Sequence, residues 1–270
     1  MNSVAAKSFD LGTMDALAAG NTPLHRLDAR AKLLVTLLFI VTVVSFEKYS
    51  VSALMPFVLY PVFLIAAGDL PAGYILKKAL WVSPFALSVG IFNPLLDRRI
   101  ILNLGEFGIS GGWLSLTSIL IRFALTVSAA LALVALTGVN AICEALMKWG
   151  VPRPFAVQLL FLNRFLSVLA GEAGRMTRAR ALRGFRKRKM GIGTFVQIAG
   201  HLLLRAVDRA ERVYRAMLCR GFDGRIRLAG DSHIGGREVF FVTAWGALFA
   251  LFRLTNLPVE LGYLLTRIIE

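Results

Sequence analysis

Apolar residues fall in runs divided by short polar turns, and the runs mark out the elements. Residues 33–46, 51–68, 79–96 and 113–138 are four such runs, the shortest of fourteen residues. Crossing a bilayer takes a helix of about twenty residues, roughly the length such runs reach. The first reaches it only if Ala31 and a snorkelling Lys32 are counted. Pro56 and Pro61 in the second run, and Pro84 and Pro94 in the third, predict kinks, which a span tolerates where neighbours re-satisfy the freed carbonyls. A last run, 239–252, continues past Arg253 to Leu265 and is broken by Pro258.

After residue 138 the pattern changes. Asn140 is placed to cap a short helix ending at Gly150, and Val151-Pro152-Arg153-Pro154 forbids its continuation. Residues 155–183 then read as one helix of about 43 Å. Its first half is apolar nearly all round. Beyond Ala170 it is amphipathic, with Leu166, Leu169, Ala173 and Met176 at steps of three and four, and Gly184 ends it. Thr194 with Gln197 predicts a capping box for a second long helix. Its stripe runs Val196, Ala199, Leu203, Val207, Ala210, Tyr214, Met217, and the pairs Asp208–Arg212 and Glu211–Arg215 lie on its polar side. Gly221 ends this helix as Gly184 ends the first.

Composition sharpens the class. With 57% hydrophobic residues, 17% charged and a mean hydropathy of +0.67, the chain is too apolar for an ordinary soluble domain and reads as an integral membrane protein. Residues 1–22 are mixed and polar, which predicts no cleavable signal. Charge then gives orientation. His25, Arg26, Arg30 and Lys32 before the first run, and the polar loop 69–78 ending in two lysines, belong on the cytoplasmic side; loop 97–112 has no net charge and belongs outside. Arg122 interrupts the fourth run, which marks a functional residue unless an interfacial turn lets it reach the headgroups. The expectation is an all-α polytopic bundle of about five crossings with a cytoplasmic module of two long crossing amphipathic helices. Residues 1–138 form the N-terminal membrane helices, 139–235 the module and 236–270 a C-terminal membrane helix.

The charge is concentrated. Residues 171–227 carry +11 of the chain's +15. Within them R-x-x-R-A-x-x-x-R-G-F occurs twice, thirty-seven positions apart: Arg175, Arg178, Ala179, Arg183, Gly184, Phe185, then Arg212, Arg215, Ala216, Arg220, Gly221, Phe222. A solvated basic face explains the sign but not the repeat. Two matching tips ask for a partner with two similar grooves, such as a dimer or two homologous subunits. The alternatives are a basic membrane protein whose helices bind anionic lipid headgroups, or nucleic acid. Acids laced at helix spacing and few exposed aromatics count against nucleic acid.

Nothing argues for catalysis or a cofactor. There is no Walker-type phosphate loop, and His25, His201 and His233 are far apart without metal-ligand spacing. Cys143 and Cys219 form no redox or metal motif and are expected reduced and buried.

Short spans, two long basic helices ending in Arg-Gly, and a last span resemble the transmembrane coupling (T) subunit of energy-coupling-factor transporters. The segment T-P-L-H-R-L-D-A-R-A-K and the tip Ala216-Met217-Leu218-Cys219-Arg220-Gly221-Phe222 are most similar to its cobalt branch, the CbiQ proteins. The family motif is often Ala-Arg-Gly, whereas Leu182 and Cys219 stand here before the arginines. The resemblance implies two long crossing helices docked on a pair of ATP-binding cassette ATPase subunits. Arg183, Gly184, Arg220 and Gly221, with Ala179 and Ala216, would form the docking tips. It also implies a substrate-binding membrane subunit taking up cobalt, or nickel in close relatives, often with a small accessory membrane protein, in the cell inner membrane.

Overall fold

The structure is a computed structural model and describes residue 14 and residues 17–47, 51–93, 100–104, 107–183, 191–222 and 235–254. It is helical, in two compact units. The first spans residues 15–145 with the chain from 232, the second residues 146–231.

The first unit opens with a short helix α1 (Pro23–Arg26) and then α2 (Ala29–Val44). Asp28 caps α2, its carboxylate accepting the Arg30 N–H at 2.8 Å. α3 (Val51–Ala67) tightens to a 3-10 turn at Met55–Val58, where Pro56 falls, so the expected kink takes that form. α4 (Ala72–Gly90) starts seven residues before the apolar run does. Lys77 and Lys78, expected in a loop, are therefore helical. Pro71 opens the helix at φ −67°, and the Lys78 ammonium lies 4.5 Å from the Tyr74 ring one turn back, which keeps the charge on the helix surface. Between α4 and α5 two strands, β1 (Ile100–Leu104) and β2 (Phe107–Ser110), pair antiparallel inside what the sequence left as a polar loop.

α5 (Gly111–Lys148) is broken at Gly138, with φ 74° and ψ 151°. The break comes two residues before the Asn140 cap expected from sequence. That conformation is open to glycine alone, and a Cβ there would stand 3.2 Å from the Ala18 Cβ. α8 (Gly236–Leu254) completes the unit, packed along α2. Phe39, Phe57, Tyr60, Trp245 and Phe249 form its aromatic centre, with ring centroids 4.7 Å apart for Phe39–Tyr60 and 4.9 Å for Tyr60–Trp245. The Tyr60 and Thr36 hydroxyls satisfy each other at 2.7 Å. Outward, Val41, Trp81, Phe85 and Phe240 are exposed, an apolar girdle that water does not favour.

The two arginines set in apolar runs share one task. Arg122 donates to the Glu47 carbonyl, and Arg253 donates to the Ser45 carbonyl at 3.3 Å while stacking 4.3 Å over Phe46. Both cations serve the carbonyls that leave the C-terminal end of α2, where the helix dipole is negative.

α5 and α6 (Arg153–Arg183) are each long and apolar enough to cross a membrane. The remaining helices of the first unit are shorter or carry charge, as α4 does at Lys77 and Lys78 and α8 at Arg237 and Arg253.

Candidate docking site

The second unit holds the repeat. The tail of α5 stops at Gly150, whose N–H donates to the Met147 carbonyl while the Val151 N–H reaches back to Leu146 at 3.1 Å. α6 starts at Arg153, two residues earlier than expected, because Pro154 is acceptable in a first helical turn. It ends at Arg183; Gly184 and Phe185 lie outside the described residues.

α7 (Ile192–Cys219) follows. Gly191 caps it without a side-chain bond, so the Thr194–Gln197 capping box does not form. Thr194 sits inside the first turn, and its hydroxyl accepts from the Arg180 guanidinium of α6 at 3.0 Å. Glu172 is the second tie between the helices. It takes Arg175 of its own helix at 2.6 Å and Arg205 of α7. These two guanidinium hydrogen bonds, Arg175's first, hold the Glu172 carboxyl below the ordinary glutamate range. Of the two pairs expected on α7, Glu211–Arg215 forms at 3.1 Å, whereas Asp208 and Arg212 make no such contact.

The ties order the helices. Position 180 meets 194, and 172 meets 205, so α6 and α7 run antiparallel. Arg183 and Arg220 therefore point from opposite ends of the pair. Arg183 lies three residues past the nearer tie, about 5 Å along the helix, and Arg220 fifteen past the farther, about 22 Å. The tips share a sequence but not a setting.

The second tip shows how that sequence folds. Gly221 has φ 76°; its N–H donates to the Leu218 carbonyl and the Phe222 N–H to Met217, both at 3.0 Å. This is the paired 5→2 and 6→1 closure of a glycine-ended helix, with Arg220 on its rim. Arg183, Arg220, Ala179 and Ala216 are all exposed. So is Cys219, against the expected burial, because it occupies the last helical position beside the tip; Cys143 is buried, and both are free thiols.

The stripe of α7 does not face α6. Val196, Leu203, Val207 and Tyr214 are all more than half exposed, while Ile198, Leu202 and Ala206, displaced around the helix, are the half-covered residues. A surface of this kind, apolar and flanked by arginines, is suited to a protein partner.

Sequence reasoning missed a second constellation, in T-P-L-H-R-L-D-A-R-A-K. His25 Nε2–H donates to the Leu17 carbonyl at 3.0 Å, which leaves Nδ1 of the neutral ring to accept the Thr22 hydroxyl at 2.7 Å. Lys32 is buried, and its ammonium donates to the carbonyls of His25 at 3.5 Å and Leu136 at 3.3 Å. Leu136 stands just before the Gly138 break, where helix carbonyls lose their partners. The segment is a clamp on the broken helix as well as a basic collar. A lysine directly bordering an apolar run was its signal.

Residues 20–229 match the family model of the cobalt transport protein CbiQ. Over 86 residues, 32% of this chain and 35% of that relative, the chain is 35% identical to the cobalt transport protein CbiQ of Rhodobacter capsulatus. Two longer matches are to energy-coupling factor transporter transmembrane proteins EcfT. That of Heliobacterium modesticaldum is 27% identical over 250 residues, 86% of this chain and 92% of the relative. That of Leuconostoc gelidum subsp. gasicomitatum is 26% identical over 231 residues, 77% and 82% of the two chains. Long apolar helices and an apolar girdle agree with a membrane protein. The chain belongs to the CbiQ cobalt transport protein family, as a transmembrane component of an energy-coupling factor transporter.

Proposed function

We propose that the chain is the coupling subunit of an importer for cobalt, or nickel. It carries the movement of two ATP-binding cassette ATPase subunits to a substrate-binding membrane subunit, with a small accessory membrane protein as a further partner. In this reading residues 139–235 lie on the cytoplasmic face of the inner membrane, and residues 1–138 and 236–270 hold the membrane partners. The chain binds neither nucleotide nor nucleic acid itself. One observation carries the reading: the same Arg-Gly-Phe ending stands on two helices that run in opposite directions, each arginine exposed. Opposed tips suit two separate receptors, one per ATPase. Arg183 with Gly184, and Arg220 with Gly221, are the docking ends, and Ala179 and Ala216 one turn back leave room for a groove wall. A planar guanidinium seats on a carboxylate by two parallel bonds, which is firm enough to pass a pull. The apolar stripe of α7 supplies further contact area.

The test is ATPase co-purification and metal uptake for Arg183→Glu, Arg220→Glu and the double variant. Each single change is expected to weaken assembly, and the double to abolish both assembly and uptake with normal membrane levels. Arg→Lys keeps charge but not the fork and should fall between. A double variant that assembles and transports like wild type would refute the reading.

A further inference from the structure

The first unit holds a cleft of about 720 Å³ unconnected with the tips. It lies where the chain enters α2 and α8, and its walls include Leu24, Phe63, Phe240 and Phe241 with Arg26 and Arg237. The volume is in the range of small-molecule sites. Arg26 is held by its Nε–H, which donates to the side-chain amide oxygen (Oδ1) of Asn21 at 3.1 Å. Its two terminal amino groups have no partner among the described residues. Arg237 has no side-chain partner among them either. The neighbouring Glu238 is engaged on the backbone: its carboxylate accepts the Gly235 N–H at 2.9 Å and caps α8. Two guanidinium groups without an acidic partner among the described residues thus share one cleft with the start of a nineteen-residue helix, whose dipole adds positive potential.

The other walls choose the class of anion. Phe241 is buried, Phe63 is 36% exposed, and Phe240 is 73% exposed, one of the residues of the apolar girdle. A free anion would satisfy the arginines and leave the exposed Phe240 ring uncovered. A phosphodiester carrying acyl chains satisfies both. We propose that this cleft binds one anionic phospholipid, its phosphate held by Arg26 and Arg237 and its acyl chain lying along Phe240. Arginines beside exposed apolar side chains are the pairing that an anionic headgroup and its chains ask for. This does not rest on the coupling reading, since neither tip takes part.

The experiment is native mass spectrometry of the full chain, delipidated in detergent and titrated with phosphatidylglycerol, phosphatidylcholine or inorganic phosphate. One phosphatidylglycerol per chain should be retained in preference to phosphatidylcholine. Arg26→Gln with Arg237→Gln should weaken it roughly tenfold or more, the loss expected for one or two charge-assisted bonds. Lys77→Gln with Lys78→Gln removes the same charge elsewhere on the unit and should leave it unchanged. Phe240→Asp, at an exposed site that need not disturb folding, should also lose the lipid while helical content by circular dichroism stays at wild-type level. Equal retention by the double arginine variant, or equal binding of phosphatidylcholine, would overturn the proposal. Displacement by inorganic phosphate would make this a free-anion site, and loss of the lipid on assembly with the partner subunits would make it a subunit interface; either result also overturns it.

Discussion

Single residues decide whether the long helices can bend and stop where they do. Gly138 occupies a backbone region closed to side chains and sits against Ala18. Gly138→Val should cost about 1–3 kcal/mol from backbone strain, before any clash. A lowered midpoint of thermal unfolding in detergent is the measurement, and an unchanged midpoint would show that the break is not required. Lys32→Met leaves the Leu136 carbonyl without its donor, a loss of about 1–3 kcal/mol. It should lower the same midpoint, whereas a change at the exposed Lys77 should not. At the other unit, Gly221→Val forces a branched residue into a left-handed turn, costing about 1–2 kcal/mol. Its expected mark is local: faster amide exchange at Leu218–Phe222, with the rest of α7 unaffected.

At the scale of elements, α6 and α7 are joined by few ties, and one of them titrates. Glu172 has a folded-state pKa below its unfolded value, so its contribution is complete above the ordinary glutamate range and is lost as pH falls through the lowered value. The pair should loosen only in strongly acidic solution. Distances between spin labels on the two helices, followed against pH, should broaden there, and Glu172→Gln should show the broad distribution at neutral pH. If wild type and variant coincide at every pH, the carboxylate is not a tie. The helices themselves were legible because their ends carry local chemistry: a left-handed glycine at Gly150 and Gly221 needs no tertiary help to stop a helix. Thr194 was not. Its predicted partner, Gln197, lies within its own helix, whereas the one that counts is Arg180, which only the folded pair brings against it. The α7 stripe misled in a similar way. Its regular period is real, but periodicity names an apolar face without saying what covers it. The β1–β2 pair escaped notice because the acids and arginines of that loop obscured two short β-prone segments.

For the whole molecule, the charge distribution predicts an orientation that can be tested. Single cysteines at Ser110 and Gln197, in a background lacking Cys143 and Cys219, should react differently with an impermeant thiol reagent applied to intact cells. Labelling is expected at Ser110 and not at Gln197; the reverse would invert the topology. Membrane character was readable from composition alone, because a chain this apolar has few other solvents. The repeat was readable too, because its spacing survives without any knowledge of packing. The unequal setting of its two copies was not. The arm beyond the ties is about 5 Å to Arg183 and about 22 Å to Arg220. Were the pair to pivot midway between those ties, the same rotation would sweep Arg220 through roughly three times the arc of Arg183. Two receptors pulling on such a bar would feel different mechanical advantage: a short stiff stroke at one end and a long compliant one at the other. Identical motifs would then give an asymmetric machine.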